Sequence, residues 1–168
     1  GDVNHPDIAV NYSNIGNVYC SQGEYKKALK FHQKSLAIRK AVHSDVNHPS
    51  IAASYYDMGN VCALHGEYTE ALTFHEKSLA MKKAVHGDVN HPSIANSYLA
   101  TGNVYYSHGQ LKKALKLYQK SLTINKAVHD DVHHPSIAID YSNIGNVYKS
   151  KGEYTKALEF HEKSLAIR

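Results

Sequence analysis

Cysteine is nearly missing from this chain of 168 residues, which holds only Cys20 and Cys62. The two form no C-x-x-C pair and read as reduced thiols of a cytoplasmic protein. There is no apolar run of membrane length, no secretory leader and no lipidation signal, so no membrane partner is expected. A nucleophile elbow, a phosphate-binding glycine loop and an H-E-x-x-H motif are likewise absent, and no Ser-His-Asp set escapes the register described next. The chain therefore reads as a non-enzyme that takes no cofactor. Charge of one sign is not in large excess. The formal net charge is +4, and lysine and arginine read as interleaved with aspartate and glutamate along the same segments, a pattern of solvated faces more than of a polyanion-binding stripe. Nucleic acid is accordingly not an expected partner.

What the chain does have is internal repetition. The motif D-V-N-H-P at Asp2 recurs at Asp45 and Asp88 and returns as D-V-H-H-P at Asp131, a period of 43 residues. Residues 1–39 and 130–168 agree without gaps at 29 of 39 positions. The glycines of the G-N-V lines, Gly16, Gly59, Gly102 and Gly145, fall in register. A fixed period of this length marks an array of units, each of which buries its apolar face on its neighbours. The repeats run over 1–43, 44–86, 87–129 and 130–168, read as one array belonging to a longer chain.

Each unit divides at a glycine into two helical patterns, Pro6 to Gln22 and Glu24 to about Val42 in the first. Pro6, Pro49, Pro92 and Pro135 suit the first turn of a helix, where a missing N–H costs nothing, and the histidine before each is placed to cap. Gly23, Gly66, Gly109 and Gly152 suit left-handed C-terminal caps. Ile8, Tyr12, Ile15 and Tyr19 recur at spacings of three and four, predicting a buried face on the first helix, and Gly16 lies where another helix can approach closely. The second helix buries Tyr25, Ala28, Leu29, His32, Leu36 and Ile38. Nothing alternates with period two, so no strand is predicted.

Tyr12, Ile15-Gly16, Tyr19, Gly23, Tyr25, Ala28, His32 and Ser35 together resemble the signature of the tetratricopeptide repeat. Cys62 departs from it at the first-helix aromatic, and His32, His75 and His161 replace the second-helix aromatic that Tyr118 keeps. The long period and the His-Pro opening are similar to kinesin light chain repeats, and Tyr-Ser-Asn-Ile-Gly-Asn at 12–17 and 141–146 to LGN/Pins-type adaptors. The resemblance implies an all-α, right-handed superhelical solenoid of four helical hairpins that binds an extended peptide in its concave groove. It also implies that the remaining face of each first helix lines that groove. Asparagine follows the packing glycine there in every repeat, at Asn17, Asn60, Asn103 and Asn146, and one turn earlier stand Asn14, Asp57, Ala100 and Asn143. Amides that both donate and accept can pair with peptide backbone whatever its side chains. Selectivity then falls to Ser13, Tyr56, Leu99 and Ser142, and to Cys20, Ala63, Tyr106 and Lys149, with Tyr56, Leu99 and Tyr106 as an apolar middle and Lys149 as a basic end. The competing reading of these asparagines is packing.

The 13 histidines invite a metal reading, but most stand at helix starts, helix ends or core positions, and no metal is expected. The cluster His129, His133, His134 is the one place with ligand-like spacing. The lysine pairs Lys26-Lys27 and Lys112-Lys113, with Lys34, Lys77, Lys120 and Lys163, read as a solvated convex face. A final hairpin ending at Arg168 without a polar cap leaves an apolar stripe complementary to the first repeat, so head-to-tail self-association, and with it a self-assembling scaffold, is the alternative function.

Overall fold

A computed structural model describes residues 5–44, 46–87, 89–129 and 133–167. Asp2, Asp45, Asp88 and Asp131, which open the repeated motif, and the terminal Arg168 lie outside the described residues. Eight α-helices follow in order: α1 (Pro6–Ser21), α2 (Tyr25–His43), α3 (Pro49–His65), α4 (Tyr68–His86), α5 (Pro92–Ser107), α6 (Leu111–Val128), α7 (Pro135–Ser150) and α8 (Tyr154–Leu165). Among the described residues there is no strand. The helices pair as hairpins, α1 with α2, α3 with α4, α5 with α6 and α7 with α8. The chain divides into two compact units, Gly1–Asp88 and Val89–Arg168. In the first, α2 packs on α3, and in the second, α6 packs on α7.

The helix starts follow from His-Pro. His48 is extended, and its Nδ1 accepts from the Ser50 backbone N–H at 3.2 Å, while Pro49 occupies the first turn. His91 and His134 do the same with Ser93 and Ser136, and His5 with Asp7. Within each unit the histidine that ends one repeat then stacks on the histidine that opens the next. His43 lies on His48, and His129 on His134, both with centroids 3.4 Å apart. This replaces the metal-like reading of the His129 cluster: two rings in face-to-face contact, one with its Nδ1 used as a cap, do not converge on a cation. Among the described residues no three potential ligands group around a metal position.

The close approach at the packing glycine is made by a ring from the partner helix. A Cβ on Gly59 would stand 2.7 Å from the His75 ring, and one on Gly102 2.7 Å from the ring of Tyr118. Next to this contact, Ser78 Oγ donates to the Ala52 carbonyl at 2.8 Å, and Ser35 and Ser164 repeat the bond to Ala9 and Ala138. At these three positions the serine hydroxyl ties the second helix of the hairpin to the backbone of the first.

The buried face differs from the expected stripe in repeat one. There Ala9, Ser13 and Gly16 are buried, whereas Ile15 is 39% exposed. Its counterpart Met58 in α3, the helix against which α2 packs, is buried. The α1 positions that face α2 are thus buried by their own hairpin, whereas the position of Ile15 is buried in α3, where a second hairpin covers it. In the second unit the core joins Ala114 and Tyr118 to Ile144 and Val147. No described helix is long and apolar enough to cross a membrane.

Candidate functional site

The asparagine that follows each packing glycine is turned away from the ring that the glycine accepts. Asn17 and Asn103 are exposed, and Asn60 and Asn146 half-buried. Two of them interact with side chains of their own repeat. Tyr118, buried and with its hydroxyl pKa pushed up by that burial, donates from Oη to Asn103 Oδ1 at 2.8 Å. Burial raises the pKa of the Tyr56 hydroxyl, and the Asn60 amide opposes that rise. Packing and surface presentation are therefore combined at these residues.

In the first unit the structure brings Tyr56, Asp57 and Asn60 together with three residues that sequence reasoning did not assign to the site, Arg39, His75 and Lys82. The Tyr56 ring meets the His75 ring edge-on at 5.5 Å, and the Lys82 ammonium sits 4.5 Å from the Tyr56 centroid. Arg39 reaches from α2 to α3, where Nη1 donates to the Ser50 carbonyl at 2.9 Å and to Ser54 Oγ at 2.7 Å. Burial raises the Asp57 carboxyl pKa against the pull of Arg39 and Lys82. Burial likewise lowers Lys82 to about 8, with Asp57 opposing the fall. Two cations thus share one carboxylate in a half-buried setting, leaving one positive charge in excess where solvent screening is reduced. Position 39 of the repeat carried a signal for this, since it reads Arg39, Lys82 and Asn125 while its neighbours hardly change.

In the second unit Leu99 and Tyr106 lie against the core cluster around Tyr118. Tyr106 Oη is bonded to Ser150 Oγ of α7 at 2.8 Å. Asn143 and Asn146 are half-buried on α7, and Lys149 is exposed near its end. Asn14 is exposed on α1, and Ala100 is buried. At the α6–α7 junction, Asn125 Nδ2 donates at 2.7 Å to Asp140, fully buried with Oδ1 lacking a partner. Burial raises Asp140 to about 6, against hydrogen bonds from Asn125 and Ser121. The thiols are poor nucleophiles, since burial pushes Cys62 up to about 11 and raises Cys20 as well.

The tetratricopeptide repeat family model matches residues 7–84 and 93–168. The chain belongs to the tetratricopeptide repeat family. Among solved structures it is similar to BtubC (BKLC) from P. vanneervenii, with a TM-score of 0.84, 23% identity, and coverage of 98% of this chain and 65% of that one. It is also similar to a kinesin-light-chain-like protein of Podosopora anserina with nearly identical TPR-like repeats, with a TM-score of 0.76, 24% identity, and coverage of 98% and 76%. A point variant of that protein matches with a TM-score of 0.79. At these identities the likeness is one of fold. The chain thus spans about two thirds of BtubC, 65% of its length. No curated protein compared with the chain matches it. Tetratricopeptide repeats are scaffolds for protein–protein interaction.

Proposed function

We propose that this array is an adaptor that holds an extended peptide of a partner protein in the cytoplasm, and that it acts by binding, without cofactor, membrane or nucleic acid. The contact runs over Asn14, Asn17, Tyr56, Asp57, Asn60, Leu99, Asn103, Tyr106, Asn143, Asn146 and Lys149. The observation that carries this reading is that the amide after the packing glycine is present in all four repeats and buried in none. By occupying the carbonyl oxygen of Asn103, the Tyr118 hydroxyl leaves the amide nitrogen as the donor for a peptide carbonyl, an orientation set before binding. Arg39, Asp57 and Lys82 add a preference for a negatively charged side chain at the second repeat.

The test is a peptide-display selection on the parent and on a variant with Asn17, Asn60, Asn103 and Asn146 changed to Ala and confirmed helical by circular dichroism. Peptides enriched by the parent and lost by the variant support the reading, whereas equal enrichment or none refutes it. The second reading is a self-assembling scaffold in which copies of the array stack head to tail. It requires concentration-dependent sedimentation that the asparagine changes leave untouched.

A further inference from the structure

The helix boundaries overturn the expectation that basic and acidic residues are interleaved throughout. Helices α2 and α6 carry 11 of the chain's 19 lysines and arginines and none of its 15 acidic residues. Helices α4 and α8 are mixed. On α6, Lys112, Lys113, Lys116, Lys120 and Lys126 are all exposed. Part of this face is a cleft of about 450 Å³ lined by Tyr98, Lys116, Gln119, Lys120, Thr123 and Ile124. Lys116 and Lys120 stand one turn apart on one helix face. None of these residues belongs to the asparagine face.

We propose that this cleft of the third hairpin docks an acidic segment of a partner protein, its carboxylates held by Lys116 and Lys120 and by the Gln119 amide. Three observations favour carboxylates over the phosphates and bases of a nucleic acid. First, the Lys120 ammonium lies over the Tyr98 ring, 5.1 Å from its centroid, and Lys113 over Tyr105 at 5.0 Å, so the aromatic faces that would stack bases are already covered. Second, the same cation–π contact restrains the lysine and lowers the entropy lost when it pairs with an anion. Third, the charge at these positions alternates along the chain. Lys30, Gln33 and Lys34 repeat the set in α2, whereas α8 has Glu159, Glu162 and Lys163 and α4 has Thr73, Glu76 and Lys77. Two of the four otherwise similar repeats thus carry carboxylates where the other two carry donors, which separates charge by repeat without altering the hairpin.

That alternation also supplies the variant. Lys116→Glu with Gln119→Glu recreates the residues of α8 on α6, so folding is preserved. Binding of a fluorescent polyglutamate peptide is measured by anisotropy at low salt, on the parent, on this variant, on Lys77→Glu and on the asparagine variant. Because α2 carries the same set, Lys30→Glu with Gln33→Glu is made as well, alone and combined with the α6 changes. The expected result is about half the bound stoichiometry for the α6 variant and about a tenfold weaker Kd when both helices are changed. Lys77→Glu and the asparagine variant stay within about twofold of the parent, and binding is lost as salt is added. Absence of binding by the parent, equal weakening by Lys77→Glu, or equally tight binding of an oligonucleotide of the same length overturns the proposal. Because the asparagine variant is carried in parallel, failure here is distinguishable from failure of the groove reading.

Discussion

Replacing His75 by tyrosine should remove an acid-sensitive weakness from the first unit. The His75 ring is 1% exposed, packs on Gly59, and has no hydrogen-bond partner for either nitrogen among the described residues. Burial, reinforced by the Lys82 charge, lowers its pKa to about 4. In the unfolded chain the value is about 6.5. Between these limits the unfolded state binds the extra proton, so stability rises with pH there; it is intact above pH 6.5 and lost as the pH falls towards 4. The integrated loss is about 3 kcal/mol. Tyrosine already occupies the equivalent position as Tyr118, where the ring fits over Gly102 and the hydroxyl reaches Asn103. Asn60 stands in the same place for a tyrosine at 75. His75→Tyr should therefore gain about 1–2 kcal/mol at pH 7.5 by removing a buried, unpaired imidazole N–H, and should lose the acid slope. Urea titrations followed by circular dichroism from pH 7.5 to 4 measure both. Asp57 and Asp140, whose raised pKa values act in the opposite sense, are common to parent and variant, so the difference isolates His75. An unchanged slope would refute the reasoning, because burial of that ring would then not govern its protonation.

Asp140 offers the reverse case in the second unit. Its folded value of about 6 lies above the unfolded value of about 3.9, so the folded state binds the proton more tightly and stability falls as pH rises through 4 to 6. Asp140→Asn should raise the urea midpoint at pH 7.5, by up to about 3 kcal/mol in stability, and leave it nearly unchanged at pH 3.5. Gly59→Ala should cost about 2 kcal/mol by driving a methyl group into the His75 ring, although alanine elsewhere in a helix interior gains about 1 kcal/mol over glycine. Thermal melts of Gly59→Ala, alone and with His75→Ala to make room, would show the cost and its relief.

The hairpins were legible because Pro49 and Gly66 punctuate them: one residue cannot continue a helix backwards and the other, with φ at +83°, suits its left-handed end. The periodicity of Ile8, Tyr12, Ile15 and Tyr19 named a face, but a wheel carries no information on what covers it, and Ile15 stays partly exposed where Met58 does not. The asparagines were legible as a row. That Asn103 is also the acceptor for Tyr118 was not, since the partner lies on the other helix of the hairpin. Arg39, Lys82 and Asn125 were missed for a related reason. Their partners stand across a repeat junction or a hairpin, and composition along one helix does not reveal them. The alternation of charge between α2 and α4, and between α6 and α8, needed only the helix boundaries, and counting over whole repeats averaged it away.

The pair of positions that joins one repeat to the next has a consequence for how such an array changes by recombination. Arg39 meets Ser54 at one junction, and Asn125 meets Asp140 at another. A crossover that joined α2 directly to α7 would set the guanidinium of Arg39 against the buried carboxyl of Asp140 and neutralise it. The reciprocal product would set Asn125 against Ser54 and leave neither charge. Blocks so alike that they can be exchanged by chance are therefore not equal as neighbours, and their succession at the α2–α3 and α6–α7 seams is written in two side chains at each.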